Sequence, residues 1–172
     1  GKVLLFLDFA MSRSERTLAD THQLAARQVL EQLAAGQDVA LLTLGDVSVY
    51  SSFCYVMDLV RVAGYETVMI PGVPSFCASA AALGRSLTEM NEPLHILPAG
   101  GHLSLPEALA LPGTKVLMKA GRQLPQAVAE LEQQGLAGTS ALVMNCGLPD
   151  QQLCPTLHWY QGQTGYFANL LV

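Results

Sequence analysis

Charge is what this sequence has least of. Only 13% of its 172 residues are Asp, Glu, Lys or Arg, and the 9 cations form no basic stretch. With a net charge of −5, the chain lacks the clustered Lys and Arg that neutralise a phosphate backbone, so no nucleic-acid partner is expected. Cysteine is sparse too. Cys54, Cys77, Cys146 and Cys154 contain no C-x-x-C pair and mostly sit in apolar stretches, which argues against a zinc site or a disulfide framework and for the reduced thiols of a cytoplasmic protein. His22, His95, His102 and His158 lie far apart and lack metal-ligand spacing, so no metal is expected. Long apolar runs are missing although 51% of the residues are hydrophobic and the mean hydropathy is +0.33. Asp8, Asp38, Asp46, Asp58 or Arg61 interrupts each stretch well before the ~20 residues of a bilayer span. No membrane segment is expected. Gly1-Lys2 leads straight into Val-Leu-Leu-Phe-Leu with no small-residue cleavage site behind it, so a secretory leader is not expected either. A chain that opens on such a run without Met is expected to be a piece of something longer. Also absent are the G-x-x-x-x-G-K-S/T loop of nucleoside triphosphate sites, the G-x-G-x-x-G of dinucleotide sites and the G-x-S-x-G serine elbow.

What the chain does have is short apolar runs alternating with helical patterns. Residues 3 to 9 (VLLFLDF) read as a buried strand. Ser12 with Glu15 predicts a capping box, and Leu18, Ala25, Val29, Leu30 and Leu33 then recur at helical spacing up to a stop at Gly36. A second run, residues 39 to 44, precedes a helix over 52 to 63 closed by Gly64. A third, residues 67 to 70, passes through Pro71-Gly72 into a small-residue helix over 75 to 83. This order, β-α-β-α-β-α, predicts a parallel sheet with helices packed on it. The composition turns polar at residues 87 to 93 (LTEMNEP), the expected domain boundary. Beyond it the pattern predicts strands at 94–97, 116–119 and 141–144, helices at 106–109 and 125–134, and extended runs near 153–157 and 166–172 that are candidates for antiparallel pairing. The fold class expected is therefore α/β, in two consecutive α/β units, residues 1–90 and 91–172.

In open α/β sheets, ligands bind outside the carboxyl ends of the strands, which directs attention to four loops. The first, residues 43 to 52, carries Gly45, where backbone can approach a ligand, and Asp46, a carboxylate able to accept hydrogen bonds from hydroxyl or ammonium groups. Asp46 and Ser51 would equally serve as caps of the next helix. The second, Ile70 to Ser75, is a rigid turn into a helix amino terminus, with Ser75 either a cap or a ligand contact. In the third, Met118 to Arg122, Lys119 and Arg122 either meet an anionic ligand or stand in a solvated loop. The fourth, Asn145 to Asp150, is by spacing a turn containing Gly147. From the residues alone the substrate is not legible.

At these loops the sequence resembles the tetrapyrrole methylases, the S-adenosylmethionine-dependent enzymes of corrin and sirohaem synthesis. The resemblance rests on LTLGDVSVYSS (residues 42–52), IPGVPSFCASAAALG (70–84), LHILPA (94–99), VLMKAGR (116–122), VMNCGLPD (143–150) and the terminal Gly165-Tyr166-Phe167. These segments span most of the chain in a consistent order. The resemblance implies two α/β domains with a ligand cleft between them, methyl transfer to a tetrapyrrole, S-adenosylmethionine as cofactor with S-adenosylhomocysteine as its product, and a homodimer. It implies cofactor contacts at Leu44, Gly45, Asp46, Val49, Pro74, Ser75, Met118 and Gly147. Tyr50, Ser51, Lys119 and Arg122 are the candidate substrate contacts, Arg85 is a further candidate cation, and no catalytic residue is assigned.

Three departures from the family pattern stand out. Val47 occupies a place where proline usually follows the Gly-Asp. Pro74 stands where a threonine usually precedes the serine, removing a hydroxyl and an N–H and leaving only a carbonyl and a ring for contact. The strand and Gly-Pro-Gly-Asp loop with which family members open do not occur upstream of the first run. The amino-terminal unit is accordingly expected to be incomplete, and this stretch alone to be impaired as an enzyme.

Overall fold

The computed structural model describes residues 2–10, 12 and 14–172. The chain divides into two compact units, Gly1–Val73 and Pro74–Val172. The division falls ahead of the polar stretch at 87–93; that domain limits fall at 90/91 remains a proposal.

The first unit is built on two helices, α1 (Glu15–Ala34) and α2 (Phe53–Val62). The cap of α1 is Ser14, whose Oγ accepts the Thr17 N–H, and not the expected Ser12, whose Oγ accepts the Ser14 N–H instead. A helix whose first backbone bond runs from Leu18 N to Ser14 O has its unpaired N–H donors just after Ser14, so the capping acceptor is needed two residues past Ser12. Gly36 (φ +76) closes α1: its N–H donates to Leu33 O and that of Gln37 to Gln32 O, a Schellman arrangement that only a left-handed residue allows. Gly64 (φ +91) closes α2 in the same way, with Tyr65 N donating to Val60 O.

Ala25, Ala26 and Val29 of α1 meet Val56 and Val60 of α2 in a buried seam. The runs expected as buried strands differ from that reading. Among the described residues of this unit no strand ladder forms over 3–9, 39–44 or 67–70. Leu7, Phe9, Val39 and Leu41 lie against the helical seam, whereas Val3 is 88% exposed, Phe6 84% and Leu42 83%. These runs are mostly apolar, as a doubly covered strand would be, but in the first two only alternate residues find apolar partners here, and Val68 and Ile70 of the third are exposed.

The second unit holds a five-stranded sheet. After α3 (Ser75–Leu83) come β1 (Leu94–Pro98), α4 (Leu105–Leu109), β2 (Thr114–Met118), α5 (Leu124–Gln133), β3 (Ala141–Met144), β4 (Gln152–Cys154), a 3-10 turn (Leu157–Trp159) and β5 (Ala168–Leu171). The strand order is β1-β2-β5-β3-β4. β1 and β2 are parallel, β5 is antiparallel to both β2 and β3, and β4 is antiparallel to β3. β1, β2 and β3 therefore run in one direction, each followed by its loop at the same end of the sheet. The last strand enters the middle because all of Ala168–Leu171 is buried, while β4, with Gln152 and Leu153 exposed, suits an edge. Leu117, Leu142, Met144, Ala168 and Leu170 pack with Leu124, Ala127, Val128 and Leu131 of α5 into the core on one face. Strand alternation sends Val116, Met118, Val143 and Asn169 to the other face. The architecture is mixed α/β. No helix among the described residues is long and apolar enough to cross a membrane.

Candidate functional site

In the first unit the candidate residues form one loop, and its organiser is Asp46. Asp46 Oδ1 accepts the Ser48 N–H at 2.8 Å and the Ser48 hydroxyl at 2.5 Å, and Oδ2 accepts the Gly72 N–H at 2.8 Å. Asp46 is thus not a cap of α2. Ser51 Oγ accepts the Phe53 N–H at 3.3 Å, while Ser52 at the N-cap position makes no side-chain cap bond. Three of the four lone-pair directions of the Asp46 carboxylate are used, leaving one for an external donor. Gly45 turns at φ +84, and a Cβ placed on Gly72 would overlap the Gly45 carbonyl oxygen. The two loops touch backbone to backbone because both positions are glycine. Leu44 is exposed, Val49 is half-buried, and Tyr50 takes a left-handed φ of +51 just before Ser51.

The hydroxyl of Ser48, then its N–H, then the Gly72 N–H hold the Asp46 carboxyl below its ordinary range. In the unfolded chain the group titrates at about 3.9. Its stabilising contribution is complete above that value and is lost as pH falls through the lower folded-state value. In an NMR titration, the Gly72 amide is expected to hold its position from neutral pH down past the ordinary carboxylate range and to move only below it. Asp46→Asn should abolish that acid transition.

In the second unit the candidates gather at the carboxyl end of the co-directed strands. Met118 closes β2 and is 8% exposed; Lys119 follows with φ +57, then buried Ala120 and Gly121 and exposed Arg122. Ala120 N donates to Ala168 O, and a Cβ on Gly121 would collide with the Gly165 carbonyl. After β3, Asn145 (φ +51) donates its N–H to Phe167 O and its amide Nδ2 to Asp150 Oδ2 at 2.6 Å. The Gly147 N–H donates to Gln151 Oε1 at 2.7 Å. The loops after β2 and β3 are thereby moored to the Gly165–Phe167 segment that leads into β5. Pro74 is the residue preceding the first turn of α3, and its carbonyl accepts the Ala78 N–H, so its ring is the part with no backbone duty. Ser75 Oγ donates to Asn169 Oδ1 at 3.4 Å. Arg85 is committed to the Pro155 carbonyl rather than to this end of the sheet.

Within each unit, then, the structure brings its own candidates together: Leu44 to Ser51 in one, and Ser75, Met118 to Arg122 and Gly147 in the other. Sequence reasoning missed Asn169, the polar member of Ala168-Asn169-Leu170-Leu171, and Gln151, which holds the Gly147 loop. A lone amide inside an apolar strand was the available signal for the first. For the second there was none.

Co-directed strands that end in glycine-bearing turns, with a helix of small residues bonded to the central strand, define a mixed α/β protein whose candidate ligand loops lie at its strand ends. The particular family follows from comparison with known proteins: the family model for tetrapyrrole (corrin/porphyrin) methylases matches residues 2–158, and the chain belongs to that family. Over 103 residues it is 38% identical to the probable cobalt-precorrin-2 C(20)-methyltransferase of Methanocaldococcus jannaschii, covering 60% of this chain and 44% of that protein. The chain thus spans less than half the length of that curated relative. Its fold is shared with the X-ray structure of a cobalamin biosynthetic enzyme, cobalt precorrin-4 methyltransferase (TM-score 0.71, 20% identity, 85% of this chain and 68% of that one). It is shared also with uroporphyrin-III C-methyl transferase from Thermus thermophilus complexed with S-adenosylhomocysteine (TM-score 0.63, 19% identity, 87% of this chain and 72% of that one).

Proposed function

We propose that the whole protein transfers a methyl group from S-adenosylmethionine to carbon 20 of precorrin-2 or its cobalt complex in cobalamin biosynthesis. The observation that carries this reading is the 38% identity to the probable cobalt-precorrin-2 C(20)-methyltransferase over 103 residues, 60% of this chain; precorrin-4 C(11)-methyltransferases match at 42% and 44% but over only 73 and 79 residues.

The residues present fit such a cofactor. Its amino-acid and ribose groups need hydrogen-bond partners and close backbone, and the Asp46 loop offers an ionised carboxylate with one acceptor direction left beside two glycines. The first turn of α3 offers backbone N–H groups with no side-chain cap. Leu44, Gly45, Asp46 and Val49, and separately Pro74, Ser75, Met118 and Gly147, are the residues we assign to it. The cofactor, when bound, supplies a methyl group on a good leaving group. The protein's share is alignment and exclusion of water, which lower the barrier without a protein nucleophile. Tyr50, Ser51, Lys119 and Arg122 are assigned to the substrate, the two cations meeting its carboxylates in a chain otherwise acidic. We assign a homodimer and a cytoplasmic location on the same family footing.

Calorimetry of the whole protein with S-adenosylhomocysteine is expected to show saturable binding, and no detectable heat would overturn the methyltransferase reading in favour of a binding or dimerisation module. Incubation with S-adenosylmethionine and precorrin-2 should add one methyl by mass, placed by NMR at carbon 20. Methylation of uroporphyrinogen III instead would assign the protein to a different step of tetrapyrrole modification.

A further inference from the structure

Asn169 is 5% exposed in the central strand, with Met118 of β2 on one side and Val143 of β3 on the other. Its neighbours in β5 are all apolar, and a leucine of similar size would satisfy the packing without burying an amide. The amide is instead matched at both ends. Its Oδ1 accepts the Ser75 hydroxyl at 3.4 Å and its Nδ2 donates to Ser79 Oγ at 3.0 Å. Ser75 and Ser79 are one helical turn apart on the same face of α3, so a single side chain grips two successive turns.

An apolar contact tolerates sliding and rotation of a helix on a sheet. This one does not. Moving α3 by a turn would bring one serine to the other's place and leave one end of the buried amide without a partner, which costs more than the shifted apolar contacts would. The helix has no other polar device to set its start, since Pro74 carries no capping side chain. We propose that Asn169 is a positioning residue: by holding Ser75 and Ser79 it sets where the first turn of α3 lies on the sheet, and thereby sets affinity for the S-adenosyl cofactor. This inference rests on the reading that Pro74 and Ser75 contact that cofactor.

The test is the double variant Asn169→Leu with Ser79→Ala in the whole protein, which removes the amide and the hydroxyl it would otherwise strand, so that the fold is retained. Expected are a melting temperature close to wild type, about tenfold faster amide hydrogen exchange confined to Ala78 and Ser79, the first amides of α3 with helical acceptors, and about tenfold weaker binding of S-adenosylhomocysteine by calorimetry. Asn169→Asp, which keeps the shape and can accept from both hydroxyls, should restore exchange and affinity most of the way. Unchanged exchange at Ala78 and Ser79 would overturn the positioning role, and faster exchange with unchanged affinity would overturn its link to the cofactor. Absence of binding by the wild type would overturn the cofactor reading and that link together, while the exchange comparison would still decide whether Asn169 places the helix.

Discussion

Gly121→Ala is expected to destabilise the second unit by about 1–3 kcal/mol, because the added methyl would be driven into the Gly165 carbonyl, a backbone group with no rotamer to escape into. The cost is steric, since Gly121 is not in the left-handed region. The reciprocal substitution makes the argument sharp. A Cβ on Gly165 meets nothing within 4 Å, so Gly165→Ala should lie within about 0.5 kcal/mol of wild type. Urea denaturation followed by circular dichroism would read both. Equal losses for the two would mean that the close approach of the Met118–Arg122 loop to the segment before β5 is not what holds it. Because Gly121 lies between the two cations assigned to the substrate, the same variant is expected to impair methyl transfer even where the chain remains folded.

Leu170→Ala should have the largest effect of any single truncation considered, a loss of about 2–5 kcal/mol. Leu170 is 0% exposed at the middle of the central strand, paired with Leu117 on one side and Leu142 on the other, within the core formed with α5. Truncation there removes apolar contacts on three elements at once, and the ladder on both sides restrains collapse into the space. Leu153→Ala on the edge strand β4, where the side chain is 36% exposed and a ladder exists on one side only, should cost well under half as much. A lower urea midpoint with unchanged slope for Leu170→Ala would confirm loss of stability; a changed slope would point to loss of two-state behaviour.

Some elements were legible in the residues to the position. The helix over 75–83 and the strand over 141–144 were expected with the bounds they have. Both are defined by neighbours: Pro74 and Gly84 bracket the helix, and the short apolar run Ala141–Met144 sits between polar turns. The three amino-terminal runs were not read correctly, for an equally physical reason. An apolar run shows that burial would be favourable, not that a partner strand lies on each side, and in this unit only the face toward α1 and α2 is covered. The loops that carry the candidate site were identified from glycine, acid and cation positions. The internal partners of their side chains were not, because Asp46 finds Gly72 26 residues away and Asn169 finds Ser75 and Ser79 at separations of 94 and 90.

The scarcity of charge leaves few groups to act, and their order along the chain is enough to resemble one family. The helices, their glycine stops and family membership lie in the residues because each depends on neighbours a few positions apart or on a linear series of motifs. The insertion of β5 between β2 and β3 depends on comparing how completely each strand can be buried, and the polar tethers of Asp46 and Asn169 depend on loop closures over 26 residues in one unit and over 90 and 94 in the other. Those comparisons are made only once the chain has closed on itself, since the free energy of a ladder or a buried amide belongs to both partners and to neither alone.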